Sequence, residues 1–309
     1  MCKVIDFNDN NIDIPSSVIT LGNFDGLHLG HADLINNLIL ESKNRKNSKS
    51  ILITFNPHTQ KVLNPDKDLK VITSDKEKNN LLCSYNIDYI SVIKFNAKIS
   101  KLSPEEFIDL IISKYKPKSI IIGYDSKFGY KGKGDYSFIK KYLFNKNIEV
   151  LKNKPYALNN VIIKSSLIKK VINDGDIKSA NMYLGREFSL FGKIIKGDKI
   201  GSSIGFPTAN LHLNNKQQII PKVGVYCVTL FFDNAEYKAL CNIGYRPTFF
   251  ENGKLSIESY ILNYNESDLY EKDVRIQFNF HIRKEKRFKS KEDLVKQINK
   301  DIKVLDSTY

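Results

Sequence analysis

The punctuation of the chain changes near Leu184, and that change limits the available architectures. Upstream, short apolar runs alternate with helix-length segments: SVITLG (17–22), HADLINNLILESK (31–43), SILITF (50–55), DYISVIKF (88–95), SPEEFIDLIISKY (103–115) and SIIIGY (119–124). Leu34, Leu38 and Ile39 follow helical spacing. Ser103, Pro104 and Glu106 supply an N-cap, a first-turn proline and the acid of a capping box. Strands alternating with helices predict an α/β unit with a Rossmann-like, parallel doubly wound sheet. Downstream, FSLFGKII, GVYCVTLFF, EYKALCNIG, SIESYIL and DVRIQFNFHI succeed one another without helices, and SKEDLVKQINKDIKVL (290–305) closes the chain with one. That half predicts a small antiparallel β-barrel with a C-terminal helix. The seam falls in NDGDIKSANMYLGREF (173–188), giving expected domains of 1–183 and 184–309.

A chain of 309 residues is long for one core, which agrees with two domains. Hydrophobic residues at 41% and charged residues at 27% fit a soluble globular protein. No apolar run reaches membrane-span length, and the N-terminus lacks a signal pattern, so the expected location is cytoplasmic with no membrane partner. The four cysteines form no CxxC pair, which argues against zinc ribbons and disulfide frameworks. Lys and Arg outnumber Asp and Glu, 48 to 34, for a net charge of +14. Such a charge suits nucleic acid or phosphorylated small molecules, and compositional bias toward Lys, Asn and Ile alone also produces it. The basic run HIRKEKRFKSKED (281–293) reads as a strand end entering a charged helix. No specific nucleic-acid partner is therefore expected, and a monomer or transient oligomer is.

The stretch GNFDGLHLGH (22–31) carries two of the five histidines. It follows an apolar strand and leads into a helix that starts near Leu29 or Gly30. Ligands of open parallel sheets sit beyond the strands' C-terminal ends, and a helix start offers free N–H groups to an anion. Gly26 and Gly30 permit close backbone approach. His28 and His31, three apart, face one point if they share a helical turn. The pattern is neither the Walker loop nor GxGxxG, and no third ligand nearby suggests zinc.

GxFDGxHxGH resembles the nucleotidyltransferase signature of the prokaryotic bifunctional riboflavin kinase/FMN adenylyltransferase (FAD synthetase) family. FNPH (55–58), ITSDKEK (72–78) and GYDSKFGYKGKGD (123–135) resemble further segments of that family, in order. The resemblance implies an α/β nucleotidyltransferase that moves AMP from ATP to FMN and releases pyrophosphate. It implies ATP contacts from Gly22, Asn23, Phe24, Asp25, Gly26, His28, His31 and Asp125, with the two histidines on the triphosphate. It implies flavin contacts from Asn56, Pro57, His58 and Phe128. A second phosphate motif resembling S-S-T-x-I-R aligns with KSSLIKK (164–170): Ser165 matches a serine, Ser166 replaces the threonine, and Lys169 stands for the arginine. Lysine supplies charge without a bidentate fork, so a riboflavin kinase with a weakened or lost adenylyl step is the alternative reading.

GSSIGFPTANLHL (201–213) opens the second motif set. In an extended segment Thr208 and Asn210 point the same way, and their oxygens suit Mg²⁺ beside ATP phosphates. PKVGVYCV (221–228), NIGYRPTF (242–249), SIESYILNY (256–264), DLYEKDVRIQF (268–278) and IRKEKRF (282–288) follow, and together they resemble the riboflavin kinase module. The resemblance implies that Glu258 is the general base for the riboflavin 5′-hydroxyl and that Thr208 and Asn210 hold the metal. It implies ATP or flavin contacts from Gly205, Phe206, Pro207, Asn242, Arg283 and Phe288, with the SSIGF loop over the phosphates. Tyr260 and Asn263 replace the family's usual His and Asp. Riboflavin, FMN and FAD are then substrates or products, and Mg²⁺ accompanies ATP.

Overall fold

The computed structural model describes residues 2–9, 11–196, 205–245, 255–264 and 269–306. The chain divides into two compact units, Met1–Ser165 and Ser166–Tyr309. Among the described residues no helix is long and apolar enough to cross a membrane.

The first unit runs β1 (Lys3–Asp6), β2 (Ser17–Leu21), α1 (Leu29–Asn44), β3 (Lys49–Asn56), α2 (Thr59–Leu63), α3 (Asp75–Cys83), β4 (Tyr89–Lys94), α4 (Ala97–Ser100), α5 (Pro104–Tyr115), β5 (Pro117–Ile122), α6 (Tyr136–Tyr142), β6 (Glu149–Lys152) and the short hairpin β7 (Ala157–Leu158) with β8 (Val161–Ile162). Its main sheet has the order β1-β4-β3-β2-β5-β6, with parallel pairing throughout. The chain steps from β2 to one side and returns to its other side with β5. The switch point therefore lies beyond the C-terminal ends of β2 and β5, where open α/β sheets bind ligands. The strands read as unbroken apolar runs because both faces are covered. Ile19, Ile51, Ile53 and Ile120 feed one core cluster, while Val18, Leu52 and Ile121 feed the other. The expected capping box is present on α5: Ser103 Oγ accepts from Glu106 N, and the Glu106 carboxylate accepts from Ser103 N.

Helix α7 (Ser165–Asp174) straddles the division between the units. The second unit continues with α8 (Ile177–Leu184), β9 (Phe188–Ile195), β10 (Thr208–Leu213), β11 (Gly224–Phe232), β12 (Ala235–Tyr245), β13 (Leu255–Ile261), β14 (Asp273–Arg283) and α9 (Lys291–Asp306). Its strands form a closed antiparallel barrel in the order β10-β13-β12-β11-β14-β9. Closure leaves no free sheet edge. Inward-facing Leu190, Tyr226, Val228, Ile243, Ile276 and Phe278 are buried and fill the interior. Outside, Leu305 of α9 packs on Cys227 and Leu240, with Ile298 and Ile302 beside them. Arg283 fixes that helix: its Nε and one terminal nitrogen donate to the Asp301 carboxylate at 2.8–3.0 Å.

Candidate functional sites

In the first unit the segment after β2 turns sharply at the switch point. Gly26 has φ +85°, and a Cβ there would lie 2.8 Å from the Ile72 side chain. Only glycine meets both demands without strain. Asp25 is buried and uses its carboxylate on the backbone: Oδ1 accepts from Ile72 N at 2.8 Å and Thr73 N at 3.4 Å. Thr73 Oγ1 accepts from Gly26 N at 3.1 Å, and Ser165 Oγ donates to the Asp25 carbonyl at 2.9 Å. Asn23 binds the other neighbour, donating to Thr59 Oγ1 at 2.9 Å and accepting from Thr59 N at 3.1 Å. Asn23, Asp25 and Ser165 thus shape the loop.

The two histidines come together at the start of α1. His28 is the N-cap of α1, and its Nδ1 accepts from His31 N at 3.3 Å. A neutral ring in that arrangement carries its proton on Nε2, which is a donor. The two imidazoles stack, with centroids 3.7 Å apart and planes 16° apart, and the Phe24 ring lies 5.2 Å from His31. The first turn of α1 contains no acidic residue, so nothing there offsets the positive end of the helix dipole. The set forms a donor surface suited to a polyphosphate.

Around this loop, Gly22 is the residue that follows β2, and exposed Asp125 lies just beyond the end of β5. The Lys164 ammonium lies 5.4 Å from the neighbouring Tyr124 ring, and burial raises the Tyr124 pKa above its ordinary value. Asn56, Pro57 and His58 connect β3 to α2, where His58 Nδ1 accepts from Gln60 N at 3.2 Å. Phe128 is a core residue, 6% exposed, with ring neighbours Phe107 and Phe138 both at 6.1 Å. Its ring is held by these neighbours close to the C-terminal end of β5. Ser166 and Lys169 follow Ser165 on α7, past the division between the units.

In the second unit strand register assembles residues far apart in sequence. Glu258 on β13 pairs with Asn210 on β10 and with Asn242 on β12. Asn242 in turn pairs with Val225, and Val225 with Arg283. One rung of the barrel therefore carries Asn210, Glu258, Asn242 and Arg283. Directly paired residues project from the same sheet face. That face is the outer one, because Ile257, Ser259 and Ile261 are buried while Glu258 and Tyr260 between them are half-buried. Thr208, two residues before Asn210, pairs with Tyr260. The Glu258 charge, after burial, helps push the inward Cys241 thiol up to about 12, while a Ser259 hydrogen bond opposes the rise.

Gly205, Phe206 and Pro207 lead into β10, and the Phe206 ring packs edge-on against Tyr260 at 5.1 Å. The remainder of the SSIGF loop, residues 202–204, and residues 246–249 of NIGYRPTF lie outside the described residues. Arg283 is committed to Asp301, and its guanidinium carbon lies 5.9 Å from the Phe288 ring centroid. Among the described residues no group of three or more His, Cys, Asp or Glu could hold a metal ion. The hard oxygens of Thr208 and of buried Asn210 fit Mg²⁺ shared with a triphosphate, since that ion keeps waters and substrate oxygens in its shell.

Sequence reasoning missed the partners that hold these sites. Thr73 lies in the ITSDKEK segment already singled out, whereas Thr59 and Asp301 act through contacts with residues distant in sequence, and no local pattern announces them. The same holds for Asn153, which accepts from Asn37 at 2.6 Å and donates to Asp33 at 2.8 Å, joining the end of β6 to α1.

Comparison with known proteins gives one result for each half. Residues 11–167 match the family model described as FAD synthetase, and residues 184–308 match that described as riboflavin kinase. The bifunctional riboflavin kinase/FMN adenylyltransferase of Buchnera aphidicola subsp. Schizaphis graminum is 38% identical over 298 residues, 95% of this chain and 94% of its own length. The protein of that name from Bacillus subtilis is 36% identical over 288 residues, 92% of this chain and 90% of its own. A crystal structure described as a macrolide-efflux protein from Streptococcus pneumoniae superposes with a TM-score of 0.89 at 28% identity, covering 98% of both chains.

Proposed function

The chain belongs to the bifunctional riboflavin kinase/FMN adenylyltransferase family, and from that premise we propose how its residues divide the work. Residues 184–309 phosphorylate riboflavin to FMN with ATP. Residues 1–183 then join FMN to the AMP part of a second ATP, giving FAD and pyrophosphate. The observation that supports this division is that the chain folds as two compact units, with residues 11–167 matching FAD synthetase and residues 184–308 matching riboflavin kinase.

In the kinase half, the Glu258 carboxylate takes the proton of the riboflavin 5′-hydroxyl as its oxygen attacks the γ-phosphorus of ATP. ADP leaves. A carboxylate base is suited to an alcohol nucleophile. Asn210 and Asn242 flank the base and orient the reacting groups, and Arg283 holds α9 beside them. Thr208 and Asn210 would hold Mg²⁺, which neutralises triphosphate charge when bound.

In the adenylyltransferase half, an FMN phosphate oxygen attacks the α-phosphorus of ATP, so no protein nucleophile is needed. Catalysis is positioning and charge stabilisation. His28 Nε2–H, His31 and the α1 N-terminus donate to the triphosphate, while Asp125 contacts the nucleoside. Asn56, Pro57 and His58 receive the flavin. Ser166 and Lys169 supply a hydroxyl and a positive charge for the phosphates. The protein acts in the cytoplasm as a monomer or transient oligomer.

The test supplies riboflavin, ATP and Mg²⁺ to the purified chain and resolves the flavins by chromatography. FMN and FAD should both form. FMN without FAD, with FMN and ATP also supplied directly, would leave the kinase reading alone.

A further inference from the structure

Lys78 is a buried cation with no part in the chemistry above. It is 5% exposed and sits in the first turn of α3, where a positive charge opposes the helix dipole. Burial and position both disfavour a lysine, and a methionine would fill the same space. The ammonium donates to the Phe55 carbonyl at 3.1 Å and pairs with Asp75 Oδ1 at 3.2 Å.

These contacts complete a triangle. Its corners are the loop after β2 (22–26), the end of β3 with the start of α2 (55–59) and the segment entering α3 (72–78). The first and second corners are joined by the reciprocal bonds of Asn23 and Thr59. The first and third are joined by Asp25 and Gly26 binding Ile72 and Thr73. The second and third are joined by Lys78 on the Phe55 carbonyl. The residue that follows Phe55 is Asn56, the first of the segment that receives the flavin.

We propose that Lys78 is a positioning residue for adenylyl transfer, closing the triangle so that Asn56–His58 presents FMN to ATP held by the Gly22–His31 loop. The proposal rests on the adenylyltransferase reading of the first unit. It ties a buried charge to the alignment of two substrates rather than to packing alone.

The test is K78M in the full chain, with both half-reactions measured at steady state. The KM for FMN should rise about tenfold, the effect of one hydrogen bond to a charged group. The kcat for FAD formation should fall less than the KM rises, and riboflavin phosphorylation should be unchanged. K78M removes only the cation and leaves the half-exposed Asp75 to water, so a merely structural lysine would show as a loss of stability with the KM for FMN in place. An unmoved KM, or equal losses in both half-reactions, overturns the proposal. Should K78M not fold, K78Q removes the charge and shortens the reach to the Phe55 carbonyl while keeping a polar side chain. The KM for FMN must then rise while riboflavin phosphorylation holds, and no rise overturns the proposal. A wild-type chain that makes no FAD from FMN and ATP overturns the underlying reading instead, and the Lys78 proposal with it.

Discussion

The two halves build phosphate chemistry by opposite routes. In the first unit the two histidines proposed for the triphosphate lie in one contiguous stretch, Gly22 to His31, and tertiary bonds serve to fix the loop that bears them. In the second unit Asn210, Asn242, Glu258 and Arg283 are scattered over seventy-odd residues, and strand register alone places them on one rung. A loop site tolerates little change in its turn, whereas a rung site depends on the barrel's closure and on the helix packed against it.

If that contrast is right, the largest effect comes from the reacting group on the rung. Glu258→Gln should lower riboflavin phosphorylation about 10²- to 10⁴-fold, the range for a lost general base. The measurement is FMN formation by the full chain. Loss of a donor to the triphosphate comes next. His28→Ala should lower FAD formation about 10²- to 10³-fold, by analogy with removal of one preorganised donor, while FMN formation continues. Equal losses in both half-reactions from either substitution would erase the contrast.

Asp301→Ala sharpens it through stability. The Arg283 and Asp301 side chains are 16% and 4% exposed, so removing the acid strands a buried guanidinium. The expected cost is about 3–5 kcal/mol, read as earlier unfolding of the second unit in denaturant, with the first unit's transition unmoved. The smallest effect is a pH slope in the same unit. Burial, with Lys222 and Lys284 nearby, holds the His281 pKa below its ordinary value of 6.5, against a backbone hydrogen bond at Arg283 that favours the charged ring. The unfolded chain then binds more protons, so this contribution is full above pH 6.5 and is lost as pH falls through the folded value. Titration of the His281 ring signals beside unfolding curves checks it, and His281→Phe should flatten that part of the slope.

The same contrast explains what was legible in the sequence. The α/β alternation, the capping box at Ser103 and the barrel with its last helix follow local rules of period and punctuation, and the structure has them. The loop at Gly26 was legible because turn, helix start and histidines are contiguous. The meeting of His28 and His31 at the helix start follows from their spacing, whereas the capping bond from His31 N to His28 Nδ1 does not. The packing of Phe128 against Phe107 was not legible, because the two rings meet across more than twenty residues of sequence. The alignment of Asn210, Glu258 and Asn242 needs the pairing of three strands, and a shift of one residue would turn Glu258 to the other face. Short β1 and β6 gave no signal in sequence because four residues are too few to show a period.

The most direct test assays Glu258→Ala and His28→Ala in both half-reactions separately. The account predicts a crossed pattern: Glu258→Ala converts FMN and ATP to FAD and pyrophosphate at the wild-type rate but makes no FMN from riboflavin, and His28→Ala does the reverse. Folded variants that lose both reactions together would contradict it.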